Sequence, residues 1–113
     1  MLRRFLGAKI RDIRITGTYL DYEGSITLDE EYLQASGILP NEEVYILNQE
    51  NGHRFTTYVI KGEKGSGKVE INGPAARLGM VGDRIMVLSY VLLSPDQIAD
   101  HEPVIVSVNS TDH

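Results

Sequence analysis

The 113-residue sequence contains no cysteine and no tryptophan. The lack of cysteine excludes disulfides, a thiol nucleophile and thiolate metal ligands, and it fits a reducing compartment. No apolar run approaches the roughly 20 residues that a membrane-spanning helix needs. Lys9, Arg11 and Arg14 interrupt the apolar start far short of a signal peptide. These absences predict a cytoplasmic protein with no membrane association.

An excess of basic residues is also missing, because the formal net charge is −5. This charge argues against proteins whose affinity comes from neutralising phosphates, so no nucleic-acid partner is expected. The histidines His53, His101 and His113 lack metal-ligand spacing, so no metal site is expected. The length corresponds to one domain, which we expect to span residues 1–113.

Short stretches of alternating apolar and polar residues recur along the chain, with the period of half-buried strands. They predict strands at residues 2–6, 13–22, 26–28, 44–47, 54–60, 69–71, 84–93 and 104–108. Asp29 and Gly37 bracket a predicted helix at 30–36, and brief helical turns are predicted at 74–78 and 95–99. Many short strands without a βαβ rhythm predict a closed β-barrel.

The pair Gly24-Ser25 lies between two of these β-rich segments. One interpretation is an ordinary hairpin connection, in which glycine supplies a positive φ and serine a local hydrogen bond. The other is self-cleavage, in which the serine hydroxyl attacks the unhindered Gly24 carbonyl and forms an ester. Elimination and hydrolysis would then leave a pyruvoyl group on chain 25–113 and release chain 1–24.

The residues around Gly24-Ser25 favour self-cleavage. They are Lys9, Tyr22, the stretch Arg54-Phe55-Thr56-Thr57-Tyr58 after Asn51-Gly52, and the stretch Asn72-Gly73-Pro74-Ala75-Ala76. In their order and spacing, residues 1–108 resemble the pyruvoyl-dependent aspartate 1-decarboxylases. The resemblance implies a mainly β fold, a six-stranded double-psi β-barrel with short helices, assembled as a homotetramer. It also implies conversion of L-aspartate to β-alanine and CO2 for pantothenate biosynthesis.

The resemblance further implies roles for individual residues. Ser25 becomes the covalent pyruvoyl cofactor, Tyr58 returns a proton to the substrate α-carbon, and Thr57 assists self-processing at Gly24. The residues implied in substrate binding are Lys9, Arg11, Tyr22, Arg54, Thr57, Asn72, Gly73, Pro74 and Ala75. Without the resemblance, Thr57 is an ordinary β-former and Tyr58 a half-buried strand aromatic.

The basic residues suit a substrate with two carboxylates. Arg54 can bind a carboxylate through two parallel hydrogen bonds, whereas Lys9 acts more as a point charge. Firm pairing of the carboxylate that is lost would stabilise the ground state, so we expect the retained carboxylate to take the stronger pairing. Two residues depart from the family pattern: Arg11 replaces a frequent histidine, and Pro74 replaces a common alanine and removes a backbone N–H.

Three alternatives stay open. The barrel can remain uncleaved and serve as a binding or assembly module, since one fold hosts many functions. It can also be a pyruvoyl decarboxylase for a different amino acid, although Lys9, Arg11 and Arg54 favour an acidic one. A nucleic-acid-binding barrel is the third, although it lacks net positive charge and an aromatic platform. Cleavage itself is expected to be either spontaneous or dependent on a maturation factor.

Overall fold

Strands make up most of the regular structure in residues 1–108, the part of the chain that the computed structural model describes. The strands are β1 (Arg3–Arg14), β2 (Gly17–Tyr19), β3 (Ser25–Asp29), β4 (Glu43–Asn48), β5 (Arg54–Gly62), β6 (Val69–Asn72), β7 (Arg84–Leu93) and β8 (Val104–Ser107). The helices are α1 (Glu30–Ser36), a 3-10 helix (Pro74–Leu78) and α2 (Pro95–Ile98). Most of the predicted segments are confirmed. The predicted strand at 13–22 is wrong in its bounds, because residues 13 and 14 end β1, β2 is limited to Gly17–Tyr19, and residues 20–22 lie in a turn.

The strands form one series in the order β2-β6-β3-β5-β4-β7-β1-β8. Only residues 15 and 16 separate β1 from β2, yet β1 pairs with β7 and β2 pairs with β6. One continuous stretch of chain therefore joins two distant positions in the series, and the sheet must curl on itself. At this junction the Thr16 N–H donates to the Val69 carbonyl at 2.8 Å.

If β1 and β2 are counted as one strand, this strand and β3, β4, β5, β6 and β7 make six strands around the core. The predicted mainly β, six-stranded barrel with short helices is confirmed, and β8 adds in parallel to β1 outside this ring. The double-psi connectivity implied by the resemblance stays a prediction.

Aliphatic side chains at alternate strand positions fill the inside of the barrel. Those with no exposed surface are Ile10, Ile26, Leu28, Val44, Ile46, Val59, Ile71 and Val87. Each such side chain contributes roughly 1.5–3 kcal/mol on burial. Because successive strand residues point to opposite faces, the polar residues between these positions lie on the outer face. The barrel interior is thus a hydrophobic core.

The buried carboxylate of Asp29 joins α1 to the loop between β5 and β6. It accepts hydrogen bonds from the backbone N–H groups of Glu31 at 2.8 Å, Gly65 at 2.9 Å and Gly67 at 2.8 Å. Burial by itself raises the pKa of the Asp29 carboxyl, but the backbone hydrogen bonds outweigh burial and the pKa lies below its ordinary value. The N-cap and the helix end at Gly37 are confirmed; the sequence did not predict the link to the loop.

We expect Asp29→Asn to lower the free energy of unfolding at pH 7 by about 2 kcal/mol, because three N–H groups lose a charged acceptor. Urea denaturation measures this, with the exposed Asp100→Asn as the control for loss of one charge. The pKa of the Asp29 carboxyl is lower in the folded chain than in the unfolded chain, where it is near 3.9, so the ionised carboxylate stabilises the folded chain above that pH. This stabilisation is lost as pH falls through the pKa of the folded state. The difference between wild type and Asp29→Asn should therefore shrink as pH drops below about 4. A constant difference from pH 7 to pH 3 would contradict this account.

Candidate active site

Ser25 is the first residue of β3, and only 1% of its surface is exposed. In the antiparallel β3·β6 pairing it lies opposite Asn72. The Asn72 Nδ2 donates to Ser25 Oγ at 3.0 Å and to Thr27 Oγ1 at 3.1 Å. The Ser25 hydroxyl itself donates to the Glu23 carbonyl oxygen at 3.4 Å. A hydroxyl has two lone pairs, so one remains to attack the neighbouring Gly24 carbonyl carbon.

The backbone before Ser25 lies directly against Gly73. With φ of 85° and ψ of −163°, Gly73 occupies a conformation that is essentially restricted to glycine. A Cβ at Gly73 would lie 2.7 Å from both the Gly24 nitrogen and the Tyr22 carbonyl oxygen. The Gly73 N–H also donates to the Tyr19 carbonyl oxygen at 2.7 Å. Gly73 thus allows the segment that contains the predicted cleavage point to approach β6 closely.

Gly24 has no comparable constraint. A Cβ at this position would meet no atom within 4 Å, and its φ is outside the left-handed region. The expectation that glycine supplies a positive φ to a hairpin turn here is therefore wrong. The remaining reason for glycine at this position is low steric hindrance at its own carbonyl carbon.

Tyr58 and Thr57 lie on β5, the other neighbour of β3. In the parallel β3·β5 pairing Ile26 is opposite Val59. One residue earlier on each strand, Tyr58 lies level with Ser25, whereas Gly24 precedes β3 and has no strand partner. Tyr58 alternates with the buried Val59 and therefore shares the outer face with Ser25. No hydrogen bond joins Thr57 to Gly24 within residues 1–108.

The predicted cationic residues lie on the same outer face but at a distance from Ser25. Arg54 is four residues before Tyr58 on β5, or about 13 Å at strand spacing. Lys9 and Arg11 are on β1, which pairs with β7 and β8 and not with β3, β5 or β6. The Arg11 Nε lies 3.8 Å from an Asp12 carboxylate oxygen, and both side chains are half exposed. Within a single chain these cations are not brought to Ser25.

The other predicted substrate-binding residues surround Gly73 and the segment before Ser25. Tyr22 is exposed, and its ring centroid lies 6.1 Å from that of Tyr19. Pro74 and Ala75 begin the 3-10 helix directly after Gly73. At the first helical position a proline loses no intrahelical hydrogen bond, so this departure from the family pattern fits the fold.

Arg54 lines a cleft that the sequence analysis did not predict. The cleft has a volume of about 270 Å³, and its other lining residues are Arg4, Tyr45 and Tyr90. These residues come from β1, β4 and β7, which follow β5 in the folded sheet in the order β5-β4-β7-β1. No local sequence signal indicated this cleft, because its residues come from four separate strands.

Among residues 1–108, no group of three or more histidine, aspartate or glutamate side chains is arranged to hold a metal ion. His113 lies outside the described residues. None of the described helices combines the length and the apolar character needed to cross a membrane.

The family model for aspartate decarboxylase matches residues 1–113. This chain belongs to the aspartate decarboxylase family. It is 46% identical over 109 residues to the aspartate 1-decarboxylase of Desulfotalea psychrophila, covering 96% of this chain and 92% of that protein. It is 50% identical to the enzyme of that name from Staphylococcus epidermidis and 51% identical to the one from Neisseria meningitidis. These two alignments cover 96% of this chain and 85% and 86% of the relatives.

The resemblance predicted from the sequence is confirmed. Among solved structures, a rationally designed protein has a TM-score of 0.49 and 17% identity, covering 74% of this chain and 91% of that chain. The fold described above rests on the strand pairings and not on this likeness.

We expect Gly73→Ala to destabilise the chain by about 1–3 kcal/mol, because the new Cβ collides with the backbone at residues 22–24. Gly24→Ala, with open space and an ordinary φ, should change stability by less than about 0.5 kcal/mol. Urea denaturation of both variants in a Ser25→Ala chain measures the difference without cleavage. Equal losses in the two variants would contradict the close approach at Gly73.

Proposed function

We propose that this chain cuts itself between Gly24 and Ser25 and then decarboxylates L-aspartate to β-alanine and CO2 for pantothenate biosynthesis. The observation that carries the proposal is the buried Ser25 hydroxyl, held between Asn72 and the Glu23 carbonyl directly after an unhindered glycine. Membership of the aspartate decarboxylase family and relatives named aspartate 1-decarboxylase support it.

Self-cleavage begins when Ser25 Oγ attacks the Gly24 carbonyl carbon. The Gly24–Ser25 C–N bond breaks, the nitrogen takes up a proton, and an ester joins Gly24 to Ser25 Oγ. Thr57, two residues before Val59 on β5, is proposed to donate a hydrogen bond to the developing oxyanion at Gly24. Loss of the Ser25 α-proton and cleavage of its Cβ–Oγ bond release residues 1–24. Water then displaces the nitrogen of residue 25, which leaves as ammonia.

Residue 25 would hold the pyruvoyl group, whose ketone would supply an electrophile for the substrate amine and an acceptor for the electron pair left by CO2. The position fits this group, because Ser25 is 1% exposed and the Asn72 amide donates a hydrogen bond to the Ser25 side chain. In the proposed mechanism Tyr58, level with residue 25, donates the proton that the α-carbon requires. Asn72, Gly73 and the start of the 3-10 helix form the wall beside the substrate.

The cations are proposed to act from a second copy of the chain. Arg54 lies about 13 Å along β5 from the level of Ser25, and L-aspartate is much shorter than that distance. A homotetramer would bring the Arg54, Lys9 and Arg11 face of one copy to Ser25 of another. Large apolar side chains that are exposed on one chain, Ile60 and Leu92 among them, support such an interface. We also propose a cytoplasmic location and self-cleavage that is either spontaneous or dependent on a maturation factor.

The intact mass of the purified protein tests the proposal first. Two species are expected, one ending at Gly24 and one beginning at residue 25 with the mass of a pyruvoyl group. Formation of β-alanine from L-aspartate, with L-glutamate as the competing acidic substrate, is the second measurement. A chain that stays uncut after heating and after incubation with extract would instead support a binding or assembly module.

Thr57→Val should leave most of the protein as one uncut chain, because the methyl group that replaces the hydroxyl cannot stabilise the oxyanion at Gly24. Mass spectrometry over time measures the uncut fraction. Thr56→Val is the matched control, since Thr56 is exposed and lies on the opposite face of β5. Cleavage at the wild-type rate in Thr57→Val would reject this role.

Tyr58→Phe should still cleave at Ser25 but should lower kcat by about 10²–10⁴, the usual contribution of a positioned proton donor. β-Alanine production by fully cleaved protein measures the effect. Tyr32→Phe serves as the control, because Tyr32 is half-buried on α1, away from Ser25. A kcat within twofold of wild type in Tyr58→Phe would show that another group donates the proton.

A further inference from the structure

Arg4 is held in one orientation at the barrel surface. Its Nη2 donates to the Tyr45 hydroxyl at 2.8 Å. Its guanidinium carbon also lies 5.6 Å from the ring centroid of Tyr45 and 5.3 Å from that of Tyr90. The two rings contact each other edge to face, with centroids 5.2 Å apart. Cation–π contact and a hydrogen bond together orient the guanidinium before any ligand arrives.

Arg4 and Arg54 line the same cleft of about 270 Å³. Within residues 1–108, the ion pairs are Arg11–Asp12 and Arg84–Glu50, and neither arginine of the cleft takes part in one. Glu43 is near enough to favour the charge of Arg4 but forms no ion pair with it. Two like charges in one small cleft repel each other, and an anion bound between them removes that repulsion.

Both arginines retain donors for such an anion. A guanidinium has five N–H groups, and the hydrogen bond to Tyr45 uses one of those on Arg4. A carboxylate offers about four lone-pair sites, enough for a bidentate contact from Arg54 and a further contact from Arg4. The cleft therefore has the chemistry to bind one carboxylate between two arginines.

We propose that Arg4 is a second carboxylate-binding residue of this cleft and that Arg4 and Arg54 together hold the carboxylate that L-aspartate retains after decarboxylation. This inference rests on the proposed function. We assign the retained carboxylate to the two arginines, because strong pairing of the carboxylate that leaves as CO2 would stabilise the ground state and slow decarboxylation. β-Alanine carries the same carboxylate, so Arg4 binds substrate and product alike. Tyr45 acts as a positioning residue through its hydrogen bond to Arg4.

The test compares Arg4→Gln with Arg3→Gln in the cleaved enzyme. Arg3 is exposed, precedes Arg4 on β1 and points to the opposite face, so both variants lose the same charge. Arg4→Gln should raise KM for L-aspartate and Kd for β-alanine by the same factor, about tenfold, with kcat within twofold. Arg3→Gln should leave all three constants within twofold. Steady-state kinetics and calorimetric titration with β-alanine give the values.

Tyr45→Phe provides a second variant that keeps the ring and removes only the hydroxyl. Tyr45→Phe should raise KM for L-aspartate and Kd for β-alanine severalfold with kcat unchanged. If Arg4→Gln does not fold, Tyr45→Phe replaces it in the comparison with Arg3→Gln. The inference is overturned if Arg4→Gln or Tyr45→Phe matches Arg3→Gln. It is also overturned if KM rises while Kd for β-alanine stays constant, because Arg4 would then bind the carboxylate that is lost.

The two proposals fail in distinguishable ways. A wild-type enzyme that forms β-alanine while Arg4→Gln behaves like Arg3→Gln rejects only the role of Arg4. A wild-type protein that neither forms β-alanine nor binds it rejects both the proposed function and the site in this cleft.

Discussion

The position of β3 between β6 and β5 controls the arrangement around Ser25. Antiparallel pairing with β6 puts Asn72 opposite Ser25, and parallel pairing with β5 puts Tyr58 level with it. Because side chains alternate along a strand, a one-residue slip in either pairing would turn Ser25 or its partner into the core. Ile26, opposite Ile71 and Val59 and fully buried, opposes such a slip by the cost of exposing it. The hydrophobic core thus fixes the register that the chemistry needs.

The close approach at Gly73 completes this arrangement. Strand pairing positions Ser25, but the residues before it have left the strand and need another constraint. Gly73 provides it by having no side chain, so that the backbone from Tyr22 to Gly24 lies against β6. Asp29 has a related effect at the other end of β3, where its carboxylate accepts hydrogen bonds from the backbone N–H groups of residues 31, 65 and 67. Both ends of β3 are therefore held by contacts with segments distant in sequence.

Aliphatic side chains fill the barrel interior and leave little room there for polar groups. Polar and charged groups are displaced to the outer face, where they are spread over several strands rather than gathered in a pocket. One chain consequently offers two incomplete regions, the Ser25 region and the Arg4–Arg54 cleft. This separation is the physical argument for a site completed between copies in the proposed homotetramer.

The sequence by itself determined the strands, the short helices with their caps, and the family, because alternation, Asp29, Gly37 and the ordered motifs are local signals. It also predicted Ser25, Asn72 and Tyr58 as site residues, and the structure places Ser25 opposite Asn72. Only the tertiary structure decided that Gly24 has an ordinary φ, that Gly73 meets the cleavage segment, and that Arg4, Tyr45 and Tyr90 join Arg54. Those facts depend on which strands become neighbours and in which register, and pairings between segments far apart in sequence leave no periodic signal in any one of them.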